Sequence, residues 1–369
     1  MISDEVDAGT QAALEQYGFD ADLSAKLRAR VASGSLSPER NIVSGRVEPP
    51  RTDDVIRLPD ASDDGYDDAR TRGLEALRGG ELAVVVLNGG MATRFGGVVK
   101  GIVEAVDGRS FLEVKLRQVA DAAAATGAAV HCAVMNSFAT DEPTRSFVRT
   151  RSLPEPLFFS QFVSLRLNPD GSLFREDDGR VSLYSPGHGD LLEALRTSGV
   201  LAELRHAGAR QLMVSNVDNL GARVDPAVLG MHIRSGRPMT VEVARKNPGD
   251  VGGAPARVDG RLALIEGPRF PPSFDQDSIP VFSTNTVLFD LDVLETPYEL
   301  TWLYVGKEVA GRPTVQLEHL FHEISAVLPT TYLEVPRVGP RGRFFPIKTP
   351  ADLAAARGSL RTMLATSVI

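Results

Sequence analysis

The sequence holds a single cysteine, Cys132, in 369 residues. No intramolecular disulfide can form, which points to a reducing compartment. Cys132 lies in an apolar strand pattern, so a buried structural thiol is expected rather than a nucleophile. Long hydrophobic runs are missing too: the longest, around Ala83 to Leu87, is far too short to span a bilayer. The opening MISDEVDAG is acidic and lacks the basic-then-apolar order of a signal peptide, so the expected location is cytoplasmic, with no membrane partner. An excess of positive charge is also absent. The formal net charge of −8 argues against nucleic acid or anionic lipid as a general partner. The acidic excess is uneven, with 16 acidic against 10 basic residues in 1–80 and 32 against 30 in the rest. A near-neutral body can still gather cations in one cleft.

Missing motifs exclude several chemistries. Neither the Gly-x-Gly-x-x-Gly spacing nor the Gly-Lys-Ser/Thr ending of a P-loop occurs after the first strong strand. No serine has nucleophile-elbow surroundings, and no Cys–His pairing is visible. His319, His322 and Glu323 invite a zinc reading, but their spacing matches neither usual helical zinc-protease pattern. A plain helix face is expected there. There is no internal repeat, heptad pattern or low-complexity tract.

What is present is a globular core: 43% hydrophobic and 24% charged residues suit one large α/β domain with an appendage, or two domains. Residues 1–35 read as a helix pair broken at Gly18, and 35–68 as an extended belt rich in Pro, Asp and Ser, or a partly disordered one. A short helix over 67–77 leads to Leu82–Leu87, an aliphatic run that fits a strand buried on both faces. Helices are then expected over 110–126, 141–149, 190–206 with a break at Gly199, and 315–327, with a last one from Pro350. Strands are expected over 128–135, 157–160, 164–167, 211–215, 239–244, 281–289 and 332–335. This alternation predicts a mostly parallel sheet with helices on both faces.

Three constellations can carry chemistry. After Leu87 the chain opens into a loop with Gly89, Gly90, Gly96 and Gly97, holding Arg94 and Lys100. Glycine amides and cations at the carboxyl edge of a parallel sheet suit a phosphate, although a plain turn is the competing account. Pro186-Gly187-His188-Gly189-Asp190 comes next. It reads either as a loop whose backbone meets a planar ligand while His188 reaches a polar one, or as a turn with Asp190 capping the following helix. Third, Asp218 follows a strand end within Ser215-Asn-Val-Asp-Asn219 and suits Mg²⁺, which takes one or two carboxylates and completes its shell with water and phosphate. Lys246 and Lys348 also lie where extended segments end.

These segments together resemble the eukaryotic-type UTP–glucose-1-phosphate uridylyltransferases, within the wider UDP-sugar pyrophosphorylase family. The similarity runs in the family's order from about Leu82 to Leu353. It is carried by Leu87-Asn88-Gly89-Gly90, Met135-Asn-Ser-Phe138, Gln161 with Arg166 and Asn168, Pro186-Gly-His-Gly-Asp190, and Ser215-Asn216-Val-Asp-Asn-Leu-Gly-Ala222. Lys246, Glu266, Thr284-Asn285, Gln316-Leu-Glu318 and Arg343-Phe…Pro-Ile-Lys-Thr349 continue it. The resemblance implies a Rossmann-like nucleotidyltransferase (GT-A-like) α/β fold with a mixed, mostly parallel sheet. It implies a catalytic domain with a sugar-binding subdomain over 81–355, between an N-terminal appendage over 1–80 and a C-terminal helix over 356–369.

By the same resemblance, Leu87, Asn88, Gly89, Gly90, Gln161, Pro186 and Gly187 would hold the nucleotide. His188, Asn216, Glu266 and Asn285 would face the sugar phosphate, and Asp218 would bind Mg²⁺. Arg94, Lys100, Lys246 and Lys348 would act on the phosphates. The expected reaction joins UTP and glucose 1-phosphate into UDP-glucose with release of pyrophosphate. GTP with a valienol-like cyclitol 1-phosphate is the second choice, and a non-catalytic nucleotide-sugar sensor stands for a different class; a monomer or dimer is expected. The sequence departs from the family at Met91-Ala92, Val99-Lys100-Gly101 and Leu165, and it stops soon after Leu353, so a short form without the family's C-terminal β-helix domain is expected.

Overall fold

The structure is a computed structural model that describes residues 6–92, 96–345, 347, 349–366 and 369. Arg94 and Lys348 lie outside the described residues. The run Leu82–Leu87 forms a strand with every residue buried. Its side chains alternate between two cores, as a period of two requires. Leu82, Val84 and Val86 pack with Leu77, Phe111, Leu112 and Leu229, under helices Tyr66–Arg78, Phe111–Thr126 and Pro226–Ser235. Ala83, Val85 and Leu87 pack with Leu191, Leu195 and Leu204, under Asp190–Thr197 and Val200–His206. Helices therefore cover both faces.

Among the described residues the main sheet has eight strands. In chain order they are β1 (Val55–Arg57), β2 (Leu82–Leu87), β3 (His131–Asn136), β4 (Leu157–Ser160), β5 (Gln211–Asn216), β6 (Met239–Arg245), β7 (Val281–Asp290) and β8 (Thr330–Glu334). Their spatial order is β1-β8-β6-β7-β5-β2-β3-β4. Every neighbouring pair is parallel except those of β7, which runs antiparallel to both β5 and β6. This is the mixed, mostly parallel α/β sheet that the sequence leads one to expect. Cys132 sits half-buried on β3, and burial pushes its thiol up to about 12, which keeps it protonated and inert. Among the described residues no helix is long and apolar enough to cross a membrane.

The N-terminal residues are laid across this body. Helices Ala8–Gln16 and Ala21–Ala32 pack Leu14, Leu27 and Val31 against Val163, Leu165, Val315 and Leu317. The belt that follows pairs Val47–Glu48 with the strand Ala254–Val258 and contributes β1 to the sheet edge beside β8.

Two local expectations need correction. The helix placed over 315–327 is the strand Arg312–Glu318 followed by the 3-10 turn Phe321–Ala326. Arg312–Glu318 pairs antiparallel with Leu303–Val309 across Ala310-Gly311, whose φ values are +50° and +74°. Two left-handed residues between alternating runs are a hairpin signal. Helix Pro226–Ser235 is absent from the sequence expectation, although Asp225 caps its first amides and Pro226 opens it.

That helix meets Tyr66–Arg78 backbone to backbone. A Cβ on Gly73 would lie 1.8 Å from the Pro226 carbonyl oxygen, and one on Gly230 would lie 1.7 Å from that of Ala69. Gly230→Ala is expected to destabilise the protein by about 1–3 kcal/mol through forced separation of the helices, against alanine's better helix propensity. A lower urea midpoint is the readout; an unchanged or higher one would mean that the contact yields freely.

Candidate active site

Strands β2, β3, β4, β5 and β6 all end at one edge, where open α/β sheets bind their ligands. Register places Leu87 beside both Asn216 and Met135. The Val217 amide then donates to the Leu87 carbonyl at 3.0 Å. The glycine loop and the acidic loop therefore leave the sheet side by side.

Asn88 is buried, and its Nδ2 donates to Asn136 Oδ1 and Thr144 Oγ1, both at 2.9 Å. It anchors the loop. A Cβ on Gly89 would lie 2.1 Å from Gln161 Oε1, so the missing side chain is what lets Gln161 lie across the loop. At Gly90 a Cβ would meet nothing within 4 Å among the described residues. Beyond it Met91–Ala92 and Val98–Val99 pair as a small arm. Lys100 follows the arm; its ammonium donates to the Ile347 carbonyl, lies 3.8 Å from Asp218 Oδ2, and sits 5.4 Å from the Phe111 ring centroid.

Asp218 has a side chain 28% exposed. Its neighbour Asn219 is buried and clamps another segment: Nδ2 donates to the Arg343 carbonyl at 3.1 Å, and Oδ1 accepts from the Phe345 amide at 2.8 Å. Arg343 is itself fully buried against Glu242 in the middle of β6, with Nε–Oε2 at 2.8 Å and Nη2–Oε1 at 2.6 Å. Its Nη1 donates to the Arg223 carbonyl at 3.0 Å. Burial would lower the guanidinium, but Glu242 and Asp225 hold it above its ordinary value, so it stays charged. Beneath the acidic loop lies buried Lys115, donating to Ser215 Oγ at 3.1 Å and to the Ala222 carbonyl at 2.8 Å. Burial, helped by the charge on Arg343, brings Lys115 down to about 7.

The third loop is wedged. A Cβ on Gly187 would lie 2.9 Å from the His319 carbonyl oxygen, and one on Gly189 would lie 2.6 Å from it. The His319 amide donates to the Pro186 carbonyl at 2.9 Å, and its ring stacks on Trp302 with centroids 4.2 Å apart. Asp190 does not cap its helix. Its carboxylate instead accepts from the Phe162 amide at 2.8 Å and meets His319 Nε2 at 2.5 Å. Burial pushes the Asp190 carboxyl above its ordinary value, and the His319 contact pulls it back.

His188 stands half-buried on this loop, and burial together with His322 brings its imidazole down to about 3, so it is neutral. His322 Nδ1 lies 2.9 Å from Glu266 Oε1. Burial alone would raise Glu266, but the hydrogen bond with His322 and the nearby Arg269 guanidinium hold it below the usual range. Asn285 sits at a register slip between β6 and β7, with φ at +56°, and donates to Asn216 Oδ1 at 2.7 Å. Such irregularities re-aim side chains beside functional sites. Lys246 ends at the same edge, its ammonium donating to the Gln276 carbonyl at 2.6 Å; burial lowers it from its ordinary value, and Asp277, Asp250 and Asp275 oppose that.

The structure thus joins Gly89 to Gln161, Lys100 to Asp218, Asn216 to Asn285, and His188 to Glu266. It ties Lys246 to the Gln276 loop. Sequence reasoning missed Lys115 and set aside His322, whose partner Glu266 is 56 positions away. No local spacing could have found that pair.

The sequence pattern of the family described as UTP–glucose-1-phosphate uridylyltransferase matches residues 27–368. Among curated proteins, the UTP–glucose-1-phosphate uridylyltransferase of Saccharomyces cerevisiae is 32% identical over 301 residues, which cover 76% of this chain and 60% of that one. The protein of the same name from Astragalus penduliflorus is 31% identical over 306 residues, covering 78% and 64%. The chain therefore spans about 60–64% of the length of these relatives. In fold it is similar to a mutant UDP-glucose pyrophosphorylase from Leishmania major, with a TM-score of 0.72 at 24% identity over 95% of this chain and 79% of that one.

The Lys115 amine gives this site a pH signature. Between about 7 when folded and its ordinary 10.5, the folded chain holds it neutral while the unfolded chain keeps it protonated. The unfolded state then binds more protons, so stability rises with pH through that window, and below it the folded chain bears the whole cost of a buried charge. Lys115→Met should flatten the rise: urea unfolding should show a larger gain at about pH 6.5 than at about pH 9.5. Equal gains at both would show that the amine is not neutral in the fold.

Proposed function

The chain belongs to the UTP–glucose-1-phosphate uridylyltransferase family, and from that premise we propose that it joins UTP to glucose 1-phosphate, giving UDP-glucose and pyrophosphate. The observation that carries this reading is the continuous line of contacts along the sheet edge. Gln161 crosses Gly89, Leu87 is bonded to Val217, Lys100 faces Asp218, and Asn216 is bonded to Asn285. A base, a polyphosphate and a sugar lie along such a line in that order.

Reading the site this way, the backbone at Gly90, the Gln161 amide and the Pro186-Gly187 turn hold the uracil. Neutral His188, ionised Glu266 and the Asn216–Asn285 pair face the sugar phosphate. Lys100 and Lys246 neutralise phosphate oxygens, a role that extends to Arg94 and Lys348 in the matching motifs. Asp218 fits a Mg²⁺ ion, being a partly exposed hard oxygen donor at the phosphate end of the line. When bound, the ion supplies charge neutralisation on the phosphates.

A phosphate oxygen of glucose 1-phosphate forms a bond to the α-phosphorus of UTP. The bond from that phosphorus to the bridging oxygen breaks, and its electron pair leaves with pyrophosphate. The attacking oxygen is already an anion, so the chain needs no strong general base. Its residues act by alignment and by charge. The names of the relatives favour UTP and glucose 1-phosphate over GTP and a cyclitol phosphate. Retention of Asp218, Lys100 and Lys246 at one edge favours catalysis over sensing.

Purified protein with Mg²⁺ is expected to release pyrophosphate from UTP in the presence of glucose 1-phosphate. No release across four nucleoside triphosphates and a panel of sugar and cyclitol 1-phosphates would end the catalytic reading. Asp218→Ala is expected to lower kcat by about 10²–10³-fold or more with an unchanged melting temperature. Near-normal turnover at saturating Mg²⁺ would remove Asp218 as the metal ligand.

A further inference from the structure

We propose that His188, Glu266 and His322 form a binding site for a first-row transition dication of the Zn²⁺ or Co²⁺ type, distinct from the Mg²⁺ position at Asp218. The three side chains come from the Pro186–Asp190 loop, the end of the strand Arg261–Ile265 and the 3-10 turn Phe321–Ala326. One donor atom from each lies within 4.8 Å of the other two. His322 is 2% exposed, and its Nδ1 is taken by Glu266. The ion would sit between His322 Nδ1 and Glu266 Oε1 in place of the hydrogen bond that joins them, with His188 as the third donor.

The donor chemistry chooses the metal. Two imidazoles and a carboxylate suit Zn²⁺, Co²⁺ or Ni²⁺, whereas Mg²⁺ takes all-oxygen shells. Donors around tetrahedral zinc lie about 3.3 Å apart at its usual bond lengths, so the cluster must tighten. A rotation of the His188 ring would do this at the loss of one long bond, 3.4 Å from the Phe321 amide. The bland alternative is a structural His322–Glu266 pair with His188 packed beside it. That account explains the 2.9 Å bond and predicts no stoichiometric binding of cobalt. Resting on the function proposed above, one consequence follows: the ion shares His188 and Glu266 with the sugar phosphate, so the two compete.

The test is a titration of chelator-treated protein with Co²⁺ in excess Mg²⁺, followed by calorimetry with Zn²⁺. One equivalent should bind with the intense visible bands of tetrahedral cobalt, and Zn²⁺ should displace it. His322→Ala and Glu266→Gln should each weaken binding by about 10–100-fold or more; the second preserves volume if the first fails to fold. No stoichiometric binding, or equal binding by either folded variant, would overturn the site. Zn²⁺ should also inhibit pyrophosphate release competitively with glucose 1-phosphate. Absence of any turnover would count against the enzymatic reading alone, because the cobalt spectrum decides the metal site without it.

Discussion

The buried pair of Arg343 and Glu242 is the interaction on which the rest of this site depends. Two charges in a core carry a desolvation penalty that only complete pairing can offset. Here the carboxylate is met by two guanidinium bonds, and the remaining nitrogen is bonded to the Arg223 carbonyl with Asp225 3.8 Å away. Meeting those demands fixes three things at once: the middle of β6, the return of the acidic loop at 223–225, and the chain entering the Phe345–Ile347 segment. Asn219 repeats the clamp from the other side. Lys100 and Asp218 then find themselves between two anchored loops, which is how a surface pair acquires a defined geometry.

The site divides along the sheet. On the parallel side, β2, β3 and β5 deliver backbone and short polar side chains, which suits reading a flat base and steering phosphate. The antiparallel strand β7 interrupts that order, and its register slip at Asn285 turns an amide toward β5. Of the groups expected to meet the sugar, Asn285 lies on this irregular strand, Asn216 ends β5, and His188 and Glu266 come from the loops before β5 and β7.

How far the sequence announces this varies with the range of the interaction. Leu82–Leu87 is legible because burial on both faces leaves an aliphatic run, and the helix Phe111–Thr126 because Ser110 and Gly127 bound it. Asp218 is legible from its place after a strand. Gln161 and Glu266 are reached only through motif order, since nothing local ties either to a ligand. His322 escapes because its partner is distant in the chain and because its segment looks helical, the Ala310-Gly311 turn being easily overlooked. Asp190 misleads in the opposite way: an acid at a helix start invites a cap, yet tertiary contacts with Phe162 and His319 claim its carboxylate.

The wedging of Gly187 and Gly189 against His319 carries a mechanical meaning. With backbone touching backbone on both sides of His188, that loop has no freedom of its own relative to the hairpin 303–318, which ends one residue before His319. Loop and hairpin are one connected piece, held by the Gly189–His319 and His319–Pro186 backbone hydrogen bonds. One end is the exposed tip at Lys307–Gly311, and the other carries an imidazole in the cleft. The tip and the imidazole are thus joined by backbone hydrogen bonds that do not involve the main sheet.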